Sequence, residues 1–366
     1  MHQFIEHKLS PLLFAGFIVI FTLLFSGGSK ALAEDCPWRT ITDQTGRQVR
    51  IPKSPKHIAC LFGPSYEKVL ALGARDRISM VANVTLPWNF VINPGLADIP
   101  VLNHYGSPDV EALLKDSTDL VIYHPFAKQI ERLSAAGLPV VVAYDGSRRM
   151  QTLDAFFADW YSQIRFYGDV LGGQSPKIAA DYCKYADAKI RQVTHVTSHI
   201  PEALRPRVFW VCGQVNGPTG TQTRHSTADW IVRAAGGAML THDAPSYYVS
   251  VSTEELILWN PDIIIVSTLP SVASVLSDPR LKNVSAVKNK KVYMTPQGQF
   301  YWSHFSTESF LCILYLAKLF LPGQFPDLDL IRELTDYYTQ FYHYDLTPDQ
   351  ARRILAHLPP RSEPRD

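Results

Sequence analysis

Short apolar segments of strand character alternate with helical segments in two separate stretches of the chain, and the gap between the stretches restricts the folds open to it. In the first stretch, His57 to Phe62, Ile78 to Val81, Asp119 to Tyr123 and Val140 to Tyr144 read as strands. Helical segments at Tyr66 to Leu72, Val110 to Leu114 and Ala127 to Ala136 lie between them. Such alternation predicts a parallel sheet covered by helices. From Thr152 to Ser198 the strand signals vanish. Leu153 to Leu171 has apolar residues at helical spacing and stops at Gly172-Gly173, and Pro176 opens a second helical run, Lys177 to about His199. At 1.5 Å per residue that run is about 35 Å long, a rigid spine between two lobes or an ordinary surface helix. The alternation restarts with strands at Val208 to Cys212, Asp262 to Val266 and Lys291 to Met294, and helices at Thr227 to Ala235, Val272 to Leu276 and Ser306 to Leu321. Two further helices, Leu328 to Phe341 and Thr347 to Leu358, end the chain.

Residues 1–33 read as an export leader: His7-Lys8, an apolar run from Pro11 to Phe25, and the small-x-small triplet Ala31-Leu32-Ala33. The run is about 15 residues, short of the ~20 that span a bilayer, and a cleavage site follows it. No lipobox precedes Cys36, so a soluble periplasmic product cleaved after Ala33 is expected. The remaining chain exceeds one typical domain. The boundaries read as 34–174 for a first lobe, 175–200 for the linking helix and 201–366 for a second lobe with extra helices. A net charge of +1 disfavours a nucleic-acid surface. Five cysteines cannot be paired from sequence, and Cys60, Cys212 and Cys312, set in apolar runs, read as buried small hydrophobes.

The two halves echo each other. Asp109-Val110-Glu111 leads to Asp119-Leu120-Val121-Ile122, and Ser252-Thr253-Glu254 leads to Asp262-Ile263-Ile264-Ile265. Each pair, Glu111 with Asp119 and Glu254 with Asp262, has the same spacing, so one helix–turn–strand unit recurs in each lobe. Two α/β lobes leave a cleft between them, where small ligands bind. An opening segment, Ile41 to Pro52 with a turn at Gln44-Thr45-Gly46, predicts a hairpin.

With Thr42-Asp43-Gln44-Thr45-Gly46-Arg47, Ile51-Pro52, Pro55-Lys56-His57-Ile58, Asn260-Pro261-Asp262 and the two Glu-to-Asp units in this order, the chain resembles the periplasmic binding proteins of iron-siderophore, haem and vitamin B12 ABC importers. The resemblance runs from about Trp38 to Leu321. It implies an α/β fold with two Rossmann-like lobes of mainly parallel sheet joined by one long α-helix, and only modest closure on ligand. It implies a ligand-capturing role, delivery to a membrane permease with its ATPase, a monomer, and no intrinsic cofactor, the metal arriving within the bound chelate. A ferric siderophore is the ligand it suggests first, then cobalamin, haem or a nickel chelate. By matched position, Glu111 and Glu254 would dock to permease arginines; the alternative is that both stabilise helix N-termini. Ser252-x-x-Glu255 fits a capping box, which assigns the local role to Glu255 and leaves Glu254 free.

Ligand residues should come from loops after the strands. Those loops are Gly63 to Tyr66, Pro87 to Phe90, Asn103 to Tyr105, His124 to Phe126, Gln214 to His225, His242 to Tyr248 and Gln299 to His304. Their aromatics and histidines suit a flat, metal-bearing ligand. Tyr66, Trp88, His124, Arg224, His242, Tyr301 and Trp302 are the expected contacts, with Tyr301 and His242 as candidate metal ligands by family position. Each has an alternative: Trp88 and Trp302 as plugs for their loops, His124 bound to a backbone carbonyl, Arg224 in an interlobe ion pair. The extension after Leu321 departs from the family pattern and is expected to buttress the second lobe.

Two other classes compete. The chain lacks a Gly-x-Ser-x-Gly elbow, a Walker loop, His-Glu-x-x-His and the Rossmann glycine fingerprint, which leaves a metal-inserting chelatase as the enzyme alternative. A bare zinc or manganese receptor needs three or four converging His and carboxylate ligands, and the histidines here are scattered.

Overall fold

The computed structural model describes residues 37–82, 86–102, 106–146, 148–212, 219–267 and 271–361, so the expected leader lies outside the described residues. The hairpin comprises β1 (Trp38–Thr42) and β2 (Gln48–Pro52). Asp43 organises its turn: Oδ1 accepts the Thr45 and Arg47 N–H groups, each at 3.0 Å, and Oδ2 accepts the Val142 N–H at 3.1 Å. One carboxylate thus shapes the turn and ties it to the first lobe.

That lobe contains β3 (Ile58–Cys60), α1 (Ser65–Ala71), β4 (Ile78–Val81), α2 (Pro87–Ile92), α3 (Val110–Lys115), β5 (Leu120–Tyr123), α4 (Ala127–Ala135) and β6 (Val140–Val142). Its four strands run parallel in the order β4-β3-β5-β6. All residues of β3, β5 and β6 are buried, as sequences apolar on both faces require. Two long helices follow, α5 (Leu153–Leu171) and α6 (Ser175–Thr197). Gly168 lets them meet closely, since a Cβ there would stand 2.7 Å from the Ala179 Cβ.

The second lobe holds β7 (Arg207–Val211), β8 (Gly220–Gln222), α7 (Thr227–Ala234), β9 (Ala238–Met239), β10 (Tyr248–Ser250), α8 (Thr253–Trp259), β11 (Ile263–Val266), α9 (Val272–Leu276), α10 (Ser285–Lys288), β12 (Val292–Met294) and α11 (Ser309–Phe320). Strands β7, β11, β12 and β9 are parallel, while β8 and β10 add an antiparallel edge. β8 falls in a segment that read as a loop, Gln214 to His225, of which 214–218 lie outside the described residues, and β10 begins at the end of another, His242 to Tyr248; strands of three residues carry too little alternation to be recognised. The architecture is the expected α/β pair of lobes with mainly parallel sheets, and α6 carries the chain from one to the other.

The repeated Glu-to-Asp unit has a mechanical role for its aspartates. Asp119 accepts the backbone N–H groups of Lys56 (2.7 Å) and His57 (3.0 Å) at the start of β3. Asp262 accepts that of Arg207 (2.8 Å) at the start of β7. In each lobe the acid fixes the register of the neighbouring parallel strand.

The C-terminal helices α12 (Leu330–Tyr342) and α13 (Pro348–Leu355) do more than support the second lobe. The Tyr342 hydroxyl donates to Glu67 Oε1 of α1 at 3.1 Å, and Trp88 Nε1 of α2 donates to the Leu358 carbonyl at 2.9 Å. The extension therefore bonds to both lobes. One apolar cluster is continuous through α1, α5, α6, α7, α11 and α12. Among the described residues, no helix is long and apolar enough to cross a membrane.

Candidate functional site

A cavity of about 320 Å³ opens between the lobes. Phe62 to Pro64, Tyr66 and Lys68 reach it after β3, His124 after β5, and Tyr144 after β6. From the second lobe come Thr227, Tyr247 and the loop Phe300, Tyr301, His304 and Phe305. These positions follow the rule that open α/β sheets bind ligands beyond their strands' carboxyl ends. A larger, open groove of about 1030 Å³ is lined by α5, α6 and residues at their ends. It lies away from those loops, so the interlobe cavity is the site the topology builds.

The lining is aromatic. Phe62 stacks on Tyr144 at 6.0 Å and meets His124 edge-on at 4.5 Å, while His124 stacks on Phe126 at 5.1 Å. Across the cleft, Phe300, Tyr301 and His304 pack edge to face or tilted. Gly63 sits where a Cβ would come 3.3 Å from the Phe300 ring, so the loops of the two lobes nearly touch. Burial pushes both cavity histidines down, His124 to about 4 and His304 to about 4, so both imidazoles are neutral near pH 7. His304 Nδ1 lies 3.0 Å from the Ser303 hydroxyl, and its Nε2 is buried with no hydrogen-bond partner.

Among the described residues no Asp or Glu lines the cavity. Acids line the adjoining pocket, where Arg148 pairs with Asp159 at 2.6 Å. Arg224 also lines that pocket and lies 3.6 Å from Asp243. Among the described residues no group of three His, Cys, Asp or Glu is placed to hold a bare metal ion.

The seven expected contacts are dispersed by the fold. Tyr66, His124 and Tyr301 line the cavity, and Arg224 lines its neighbour. Tyr66 is also structural, since its hydroxyl donates to the Gln299 carbonyl at 2.9 Å and accepts from Asn89 at 2.8 Å. Trp88 and Trp302 are 2% and 1% exposed and lie outside the cavity lining, so they plug their loops. The Trp88 indole is held there by its bond to the Leu358 carbonyl. His242 stands outside the lining as well, its Nδ1 held 2.9 Å from the buried Asp229 carboxylate. Asn103 to Tyr105 lie outside the described residues.

Sequence reasoning missed Lys68, Tyr144, Tyr247 and His304 as individual lining residues. Tyr247 and His304 sat within loops already singled out, and Tyr144 ends a strand that was recognised. Lys68 had no signal, because a lysine inside a short helix ordinarily faces water.

Against this geometry the comparisons with known proteins are specific. The sequence pattern described as "Periplasmic binding protein" matches residues 58–298. The chain belongs to the periplasmic binding protein family. A curated relative, the molybdate-binding protein MolA of Haemophilus influenzae, is 26% identical over 354 residues, covering 92% of this chain and 99% of that one. The crystal structure of that MolA with molybdate bound superposes with a TM-score of 0.75 at 24% identity, over 84% of this chain and 99% of the other. Helicobacter pylori CeuE with Ni(II) bound gives 0.68 at 18% identity, over 87% and 99%.

Proposed function

We propose that this periplasmic binding protein is the solute-binding component of an ABC importer and that its ligand is a small metal oxyanion of the molybdate or tungstate type. The observation that carries the reading is the cavity's lining, which among the described residues holds phenol, imidazole and ammonium groups and no carboxylate. Such a set favours an anion and opposes a bare cation, whose desolvation needs negative ligands. The volume of about 320 Å³ is at the small end for ligand pockets. The likeness to MolA over nearly the whole chain supports the same choice. The protein acts by stoichiometric capture in the periplasm, without catalysis.

The aromatic walls formed by Phe62, Tyr144, Phe300 and Phe305 favour a second reading, an anionic ferric siderophore seated against flat rings. Calorimetric titration with molybdate, tungstate and a ferric hydroxamate separates the two. The oxyanion reading expects one tungstate or molybdate per chain with a Kd at or below about 1 μM. Saturable uptake of the ferric chelate with no oxyanion heat would overturn it.

Delivery to a permease and its ATPase is supported by two surfaces. Glu111 and Glu254 are both exposed. Leu114, 50% exposed, lies three residues beyond Glu111, and Leu258, 82% exposed, lies four beyond Glu254. At these spacings acid and leucine share a helix face, giving each lobe a charged and an apolar contact for a partner. Glu255 closes the capping box with Ser252, and Asp109 caps α3, so neither docking glutamate is needed as the cap.

A further inference from the structure

Lys68 is 1% exposed, yet its side chain borders the interlobe cavity. A buried ammonium is costly unless it is well paired, and the pairing here is thin. Among the described residues its one hydrogen-bond acceptor is the Pro64 carbonyl at 3.4 Å. The nearest carboxylate oxygen, Glu67 Oε2, lies 4.0 Å away, and the Tyr167 ring centroid 5.6 Å away. An ammonium carries three donors, so this surrounding leaves donor capacity at the cavity wall.

Glu67 cannot swing over to complete the pair. Its Oε1 is held by the Thr307 backbone N–H at 2.9 Å, by the Thr307 hydroxyl and by the Tyr342 hydroxyl at 3.1 Å. Among the described residues its Oε2 has no hydrogen-bond partner. The second lobe and the C-terminal extension therefore fix the carboxylate, and the carboxylate sets where the lysine stands.

His124 and His304 are neutral near pH 7, and Arg148 and Arg224 stand in the adjoining pocket beside Asp159 and Asp243. One further cation, Arg149, acts on the cavity residues Tyr144 and Tyr247, but it is exposed to water and donates to the Gly146 carbonyl at 2.8 Å. From this geometry we infer that Lys68 supplies the positive charge that selects a doubly charged anion in the cleft, with Glu67 as the residue that positions it. The inference rests on the oxyanion reading above and names the residue that decides its charge preference. Burial pulls the Lys68 ammonium down to about 8, and Glu67 opposes that shift, so the group is mostly charged at neutral pH and readily discharged above it.

Tungstate and perrhenate test this, being tetrahedral oxyanions of two charges and one. Titrations use the wild type, Lys68→Met, and the double variant Glu67→Gln with Lys68→Met, which leaves no buried carboxylate stranded. Folding is read separately from the melting temperature. Loss of a charge-assisted hydrogen bond should weaken tungstate at least about tenfold in both variants and change perrhenate by less than about threefold. A merely structural lysine would move both anions alike. In the wild type alone, the tungstate-to-perrhenate ratio should fall between about pH 7 and pH 9 as Lys68 discharges. The other titratable groups facing it are Glu67, Tyr167 of α5 and, round the cavity, Tyr66, His124, His304, Tyr144, Tyr247 and Tyr301. Glu308, behind the Phe300 N–H, is raised by burial to about 8 and titrates in the same window, so a fall that persists in Lys68→Met belongs to Glu308 and counts against the assignment. Both histidines are already neutral, and burial holds the Tyr144, Tyr167 and Tyr247 phenols above their ordinary value. A preference for tungstate unchanged in the variants and flat with pH overturns the assignment while the oxyanion reading stands. Absence of any oxyanion binding by the wild type overturns both.

Discussion

The carboxylate of Glu67, in the first lobe, accepts the backbone N–H of Thr307, in the second, at 2.9 Å. Both residues are fully buried. Around this bond Tyr66 donates to the Gln299 carbonyl and Asn93 to Gln299 Oε1 at 2.6 Å, so the lobes are joined by polar contacts out of reach of water. A hydrogen bond inside protein is not exchanged for one to solvent when it breaks, and its loss leaves unpaired groups on both sides. Beside the cleft the lobes are therefore tied by these bonds as well as by the linking helix.

Glu67→Ala should destabilise the protein by about 3–5 kcal/mol, because it strands the Lys68 ammonium and the Thr307 N–H together. Tyr342→Phe removes one donor and should cost only about 1 kcal/mol. Urea unfolding of the two variants checks the ratio; equal effects would mean that the glutamate is not the centre of the network.

Stability should depend on Glu308. Burial raises its carboxyl to about 8 from the ordinary 4.5, while its oxygens accept from the Tyr338 hydroxyl at 2.5 Å and the Phe300 N–H at 3.0 Å. Between those two values the folded state holds a proton that the unfolded chain has lost, so stability falls as pH rises. His124 and His304 act oppositely, but only between about 4 and their ordinary 6.5. Melting temperatures should decline from about pH 6.5 to pH 8, and the decline should be shallower in Glu308→Gln.

Gly298→Ala should also be destabilising. The added Cβ would collide with Glu308 Oε1 and the Tyr338 hydroxyl, neither of which can retreat from its buried bond. Overpacking of this kind costs about 1–3 kcal/mol, visible as a lowered denaturation midpoint with an unchanged slope.

Cys60, Cys183 and Cys312 should resist alkylation in the folded protein. All three are buried, and burial raises the Cys60 thiol to about 12 and the Cys183 thiol to about 11, which removes the reactive thiolate at neutral pH. Mass spectrometry after iodoacetamide treatment should find them unmodified until the chain is unfolded.

Reversing the charge at both docking positions, Glu111→Lys with Glu254→Lys, should leave ligand affinity unchanged and reduce ligand uptake in cells by about tenfold or more. A loss of affinity would place these residues in the binding site instead, and unchanged uptake would remove them from the docking surface.

The strands, the spine and the repeated units were legible because each is written locally. Ile263 to Val266 is a continuous buried run, Ser252 and Glu255 form the capping box their spacing announces, and Gly172 and Gly173 take the positive φ that ends α5. The short strands β8 and β10 were not legible, since so few residues carry no periodicity. The cavity was legible only as a set of loops. Tyr66, His124 and Tyr301 do face it, whereas Trp88 and Trp302 turn into the protein and His242 turns to Asp229.

The sequence by itself determined the order of the longer elements, the two-lobed plan and the acids that precede β5 and β11, because short-range spacing and apolar period specify them. Tertiary structure alone decided which side chains meet across the cleft. Glu67 and Thr307 are 240 positions apart, and Lys68 of the first lobe shares a cavity with Phe300, Tyr301 and His304 of the second. Contacts between residues so distant along the chain depend on how whole lobes pack, and no local pattern records that.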